Sequence, residues 1–287
     1  MNPAPNQTSQ ETTQRTTKRT RRVAMQETER LHIQLRESAV DALIENILIG
    51  ESTLITGPTG VGKTTLGIIV AQKLGRPIEI FHYGGAFDPE ASVTGVLELK
   101  NGQTVFVRSR LIEALTIPNC IILMDEIARA PGEVPNALLS VLDFQKRIVL
   151  DLETRRKRVV ERAPGVSFIA TANLDAGCIG SGPLDRAFLD RMMHLRIDYP
   201  EPAQEAQLLL DSNVSLEQAE SLVLKAGAVR RQYAQNVLDC TISTRGLIRA
   251  AKLMARGSEI DHSIERNLYL AGDESRCKLR ATLRAVA

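Results

Sequence analysis

The apolar positions of this chain form two patterns that change near residue 200. Before that point, short strand-like runs alternate with helical stripes. Residues 52–56, 77–82, Cys120-Ile121-Ile122-Leu123-Met124 and Val166-Ser167-Phe168-Ile169-Ala170-Thr171 are each the length of a strand and bounded by turn residues. The run at 120–124 is unbroken, as suits a strand covered on both faces, and 166–171 reads as another buried strand, as in a parallel sheet. Between them, Val40, Leu43, Ile44 and Ile47 mark one amphipathic helix, and residues 63–74 mark a second. A third runs through Leu138, Leu139, Val141 and Leu142, with a short helical stretch at 111–115. Met192 to Tyr199 reads as a last strand, after a helix at 183–191. Alternation around Asn101-Gly102 predicts a hairpin over about 96–107, and a second hairpin is predicted over about 147–161 with Arg155-Arg156-Lys157-Arg158 near its tip. Residues 84–96 read as irregular. Beyond Pro200 and Pro202 only helices are predicted; Ser215-Leu216-Glu217-Gln218 is a capping box, and Leu247, Ile248, Ala251 and Met254 form one stripe.

These elements predict an α/β fold, a parallel sheet flanked by helices over residues 25–200, followed by a small all-helical domain over 201–287. Residues 1–24 are polar, with Arg15, Lys18, Arg19, Arg21 and Arg22 against Glu11, and are expected to be a disordered tail because nothing in them can bury a face.

Composition narrows the function classes. The apolar fraction of 43% is that of a globular protein, and a net charge of +2 carries no overall signal for nucleic acid or membrane. Aromatic residues make up 3% of the chain and Trp is absent, so the stacking platforms of single-strand binders are scarce. Cys120, Cys178, Cys240 and Cys277 lie far apart, without metal-ligand spacing, which argues against a zinc site or a disulfide framework. No run reaches membrane-spanning length and no signal peptide is evident; a cytoplasmic protein is expected.

The chemistry is concentrated at strand ends. Gly57-Pro58-Thr59-Gly60-Val61-Gly62-Lys63-Thr64-Thr65 follows the first strand and fits G-x-x-x-x-G-K-[ST]. Glycines let the backbone curl with its N–H groups toward a polyphosphate, and the following helix points its positive end at the anion. Lys63 is expected to meet the β and γ phosphates of a nucleotide, and the Thr64 hydroxyl to bind Mg2+. Sixty-one residues later the run at 120–124 ends in Asp125-Glu126. Asp125 is expected to hold Mg2+ with Thr64, and Glu126 to deprotonate the attacking water. Asn173, after the run at 166–171, supplies an uncharged amide for the water or the γ-phosphate. His82 and His194 sit in strand-like runs and are expected to be packed.

With these residues in place the chain resembles the AAA+ ATPases, and within them the MoxR-like and cobaltochelatase-subunit-like group, over residues 52 to about 256. The most specific stretch is Met124-Asp125-Glu126-Ile127-Ala128-Arg129-Ala130-Pro131-Gly132-Glu133-Val134-Pro135-Asn136-Ala137-Leu138, close to the Walker B region of that group. By the same resemblance Asn173 corresponds to sensor 1, residues 184–191 to the arginine-finger segment and Ser243-Thr244-Arg245 to sensor 2. In Arg191, which follows Asp190, the resemblance implies a finger reaching a neighbouring subunit, with Arg186 second; Met192 stands where the family has phenylalanine. Arg245 would reach the nucleotide within its own subunit. The resemblance further implies a homo-oligomeric ring of six, two hairpins facing its pore, a protein client, and a separate partner chain with a von Willebrand factor A domain. The competing reading is a nucleic-acid motor or DNA-processing subunit using the basic tail and Arg155 to Arg158.

Overall fold

In a computed structural model of the protein, residues 37–83, 88–151, 158–173 and 184–286 are described. The basic tail, Arg155 to Lys157 and Cys178 fall outside these residues.

Five parallel strands build the central sheet: β1 (Thr53–Thr56), β2 (Ile78–His82), β5 (Ile121–Asp125), β8 (Ser167–Ala172) and β9 (Met193–Arg196), in the spatial order β2-β5-β8-β1-β9. Each strand sends alternate side chains to opposite faces, and the run of apolar residues supplies both. Leu54, Ile122, Met124, Phe168 and Ala170 enter one core, while Ile55, Ile121, Leu123 and Ile169 enter the other. Helices α1 (Glu37–Leu48) and α2 (Lys63–Lys73) cover the second face through Val40, Leu43, Ile47, Leu66 and Ile69. The first face is covered by α4 (Arg110–Leu115), α5 (Glu133–Leu142) and Phe188 of the single-turn α6 (Arg186–Asp190). The result is a three-layer α/β/α body, as the apolar pattern predicts. Phe168 is fully buried at its centre. Replacing it with Ala should lower unfolding free energy by about 3–5 kcal/mol in denaturant titrations, because the surrounding layers cannot close the cavity.

Two hairpins leave this body. β3 (Gly95–Lys100) pairs antiparallel with β4 (Gln103–Arg108) around Asn101-Gly102, and β6 (Arg147–Val149) with β7 (Val159–Glu161). The stretch expected to be irregular contains a short helix, α3 (Pro89–Val93). Its start was legible after all: the Asp88 carboxylate accepts from the Ala91 N–H at 3.1 Å and Pro89 takes the first helical position. The expectation that His82 and His194 are packed fails. Both are exposed, because β2 and β9 are the two edge strands of the sheet.

After β9 the chain turns helical. α7 (Pro202–Leu210), α8 (Leu216–Ala234), α9 (Thr244–Met254), α10 (Ile260–Glu265) and α11 (Asp273–Arg284) enclose a separate core of Leu209, Leu222, Val229, Leu247, Ile264 and Leu279. Ser215 and Gln218 form the reciprocal capping box of α8, and Ser243 caps α9 by accepting from the Gly246 N–H at 3.1 Å. Among the described residues, no helix is long and apolar enough to cross a membrane.

Candidate active site

The strand order brings the three chemical segments together. β5, β8 and β1 are adjacent and parallel, so Asp125, Asn173 and the Gly57 loop all emerge at the same carboxyl edge. Lys63, the first residue of α2, is buried there at 8% exposure. Its ammonium donates to the carbonyl oxygens of Gly57 and Pro58, each at 2.8 Å, and to Oδ1 of Asn173. Asn173 thus holds the lysine directly, a contact that the water-binding role expected of its amide does not require.

The carboxylate pair is set by a residue that sequence reasoning missed. Thr171 Oγ1 donates to Asp125 Oδ1 at 2.7 Å and accepts from the Glu126 N–H at 3.0 Å. Thr64 Oγ1 donates to the same Asp125 oxygen at 2.6 Å. Glu126 is left-handed, with φ 57° and ψ 41°. Six non-glycine residues among those described have positive φ, and four of them are asparagines, which tolerate it; Glu126 does not belong to that type. Such a conformation persists where its surroundings dictate it, and here the Thr171 hydroxyl and the turn into the 3-10 segment Ile127–Arg129 do so. The bend aims the two consecutive carboxylates in different directions.

Two further groups reach this pair. Arg129 Nε lies 3.2 Å from Glu126 Oε2, three residues on. His82 Nδ1 lies 3.1 Å from Asp125 Oδ2, because His82 and Asp125 are register partners of β2 and β5. The i,i+3 spacing of Arg129 was visible in the sequence; the His82 contact depends on which strands are neighbours and was not.

The loop glycines are needed for packing as well as for phosphates. A Cβ on Gly57, at φ 151°, would stand 2.0 Å from the Ile197 carbonyl oxygen at the end of β9. A Cβ on Gly60 would meet Ser243 Cβ at 2.7 Å and Arg245 Cβ at 3.6 Å. The loop is therefore clamped between the sheet and the start of α9. Arg245, exposed, rises beside it. Val61 is buried in the sheet core, Gly62 caps α2, and Thr65 is half-buried on its first turn. Pro58 and Thr59 face a cleft of about 920 Å3 shared with Tyr199, Arg230 and Tyr233, outside the Lys63–Asp125 cluster.

The two arginines of the 184–191 segment lie away from the chain's own lysine cluster and differ from each other. Arg191 donates to the Ala187 carbonyl at 2.8 Å and to Asp143 Oδ2 at 2.9 Å. The Asp143 carboxyl is held below its ordinary range by the Phe144 N–H and then by Arg191. Arg186 is exposed and has no partner among the described residues.

Residues 52–192 match the profile of the AAA domain, dynein-related subfamily, and residues 205–286 match the CbbQ/NirQ/NorQ C-terminal family. Protein NorQ of Paracoccus denitrificans is 31% identical over 216 residues, covering 74% of this chain and 76% of that one. The chain belongs to the MoxR-like AAA+ ATPases. A second relative in this family, named "Putative chaperone BssE", from Thauera aromatica, is 27% identical over 219 residues, or 76% of this chain and 74% of the relative. The AAA+ fold is also that of the Thermotoga maritima RuvB Holliday junction branch migration motor, with a TM-score of 0.53 at 16% identity over 85% of this chain and 72% of that one.

The donors near Asp125 also bear on Mg2+. Among the described residues, no group of three or more His, Cys, Asp and Glu side chains could hold a metal ion. A hydroxyl and a carboxylate oxygen 2.6 Å apart, at Thr64 and Asp125, are instead the hard, sparse donors that suit an ion carried in on phosphate oxygens.

Proposed function

We propose that this protein hydrolyses ATP between the subunits of a hexameric ring and uses the cycle to remodel a protein client. The observation that carries the reading is the built cluster at the carboxyl edge: a buried lysine held by Asn173, and an Asp125-Glu126 pair whose first carboxylate and second N–H are held by one threonine hydroxyl. Lys63 exchanges its carbonyl partners for phosphate oxygens. Glu126 accepts a proton from water as the water oxygen bonds to the γ-phosphorus and the bond to the bridging oxygen breaks. Thr64 and Asp125 would hold Mg2+, which supplies charge neutralisation at the phosphates. Arg129 must yield Glu126 for this, a small cost for a pair in which both side chains are more than a third exposed.

Charge building on the phosphates calls for a second cation, and a neighbouring subunit is its source in this reading. Arg191 is the first candidate. Its pair with Asp143 is partly exposed, and when it leaves, Asp143 keeps the Phe144 N–H as a donor. The Phe144 ring beside it is 83% exposed and Met193 44%, apolar surface that a second subunit would cover. The freedom of Arg186 favours it as the alternative. Arg245 reaches the same phosphates from α9 within the subunit, so bound nucleotide sets the angle of the helical domain.

The protruding β3–β4 hairpin supports client contact, with Leu97 at 50% and Leu99 at 77% exposure. A partner chain with a von Willebrand factor A domain would present the client. Sedimentation velocity with ATP and Mg2+ should show six-fold assembly, and DNA or RNA at physiological salt should leave turnover unchanged. A monomer under all nucleotide conditions defeats the ring. Strong stimulation by nucleic acid that weakens with salt would replace this reading with that of a nucleic-acid motor.

A further inference from the structure

The helical domain contains a buried polar cluster. Glu205 of α7 is 1% exposed, and Arg230 of α8 forks onto it with Nη1 and Nη2 at 2.7 and 2.8 Å. Thr244 Oγ1 donates to the same carboxylate at 2.6 Å. Arg230 Nε donates to the Ile242 carbonyl at 3.0 Å, and the guanidinium lies 3.7 Å from the centre of the Tyr199 ring. Burying such a set gains little net stability over apolar residues of the same volume, so its use is better sought in what it fixes.

What it fixes is the start of α9. Ile242 and Thr244 flank the Ser243 cap, and both are tied to the Arg230–Glu205 pair. The next residue is Arg245, whose Cβ and the Ser243 side chain pack over Gly60. On the other side, Tyr199 belongs to the link between β9 and α7, one residue past Asp198, and lines the cleft with Pro58, Thr59 and Arg230. One guanidinium therefore touches α7, the segment before α9, and the link to the sheet.

We propose that Arg230 is a positioning residue for Arg245: by holding the Ile242 carbonyl, Glu205 and the Tyr199 ring together, it sets the place of the α9 N-terminus against the phosphate loop. This rests on the reading of Arg245 as the nucleotide contact from the helical domain. Only a planar fork serves all three partners; a lysine at 230 keeps the charge opposite Glu205 but loses the Ile242 bond and the stack.

The test uses the full-length protein, a fluorescent N-methylanthraniloyl-ATP for affinity, steady-state turnover, and thermal melting. Arg230→Lys should melt like the parent yet bind the analogue about tenfold more weakly and raise the KM for ATP by a similar factor, with kcat changed less. Arg245→Ala should show a loss of the same size. The double variant should be no worse than the poorer single, because a residue acting through another adds nothing once that other is gone. Should Arg230→Lys melt early, the set Glu205→Leu, Arg230→Met and Thr244→Val, which removes the charges together, takes its place. Parental affinity in a folded Arg230 variant, beside a weakened Arg245→Ala, overturns the proposal and leaves Arg245 in its role. Losses that multiply in the double variant overturn it too, showing two independent actions. A silent Arg245→Ala removes the underlying reading and the proposal with it.

Discussion

Glu126→Gln should lower ATP turnover by at least about a hundredfold while leaving ATP bound. The amide matches the carboxylate in size and cannot accept the proton from water. The parts that grip phosphate are elsewhere: Lys63 is held by Gly57, Pro58 and Asn173, and Asp125 by Thr64 and Thr171. The Glu126 backbone should keep its left-handed bend, since the Thr171 hydroxyl takes its N–H and not its side chain. Measured together, phosphate release should collapse and nucleotide retention in gel filtration should persist. Turnover near the parental rate would show that another group takes the proton, and loss of binding would show that the substitution had disturbed the loop. Lys63→Ala should instead abolish binding, because it removes the cation and leaves the Asn173 carbonyl oxygen without its partner.

The second large effect concerns two subunits at once. Arg191→Ala alone should reduce turnover by about 10³-fold or more if its guanidinium stabilises the transition state in a neighbour's site. Mixed with Lys63→Ala subunits, it should recover measurable activity: a Lys63→Ala subunit still offers its arginine to the intact site of an Arg191→Ala neighbour. Neither variant works alone, so recovery cannot come from either pure ring. The same mixture built with Arg186→Ala separates the two candidates. Recovery with Arg186 in place of Arg191 assigns the role to the exposed arginine, and no recovery with either at any ratio argues that hydrolysis is completed within one chain. Loss of the Arg191–Asp143 pair should itself have little effect on melting, because both side chains are more than a quarter exposed.

Much of this architecture could be read along the chain because it follows local rules. Strand-like runs, two of them apolar enough for both faces to be buried, mark a parallel sheet, Asn101-Gly102 marks a hairpin, and Ser215 with Gln218 marks a helix start. The loop from Gly57 to Thr65 and the Asp125-Glu126 pair are likewise contiguous in sequence, so their chemistry is visible without a fold. The helix at Pro89–Val93 was missed although its Asp-Pro start obeys the same rules, hidden by the glycines before it.

What the sequence determined by itself was therefore the order of strands and helices, the family's kind of chemistry and the candidate residues for it, since each depends on neighbours within a few positions. Only the tertiary structure decided which of those residues meet. Lys63 touches Asn173 across 110 positions, and Thr171 bridges the Asp125 carboxylate and the Glu126 N–H, 46 and 45 residues before it, because β5, β8 and β1 lie side by side. His82 reaches Asp125 because β2 is the neighbour of β5, and Gly60 is pressed by Ser243 because the helical domain folds back over the loop. These contacts are consequences of strand order and domain packing, which are set by the burial of whole faces and are not written in any local spacing.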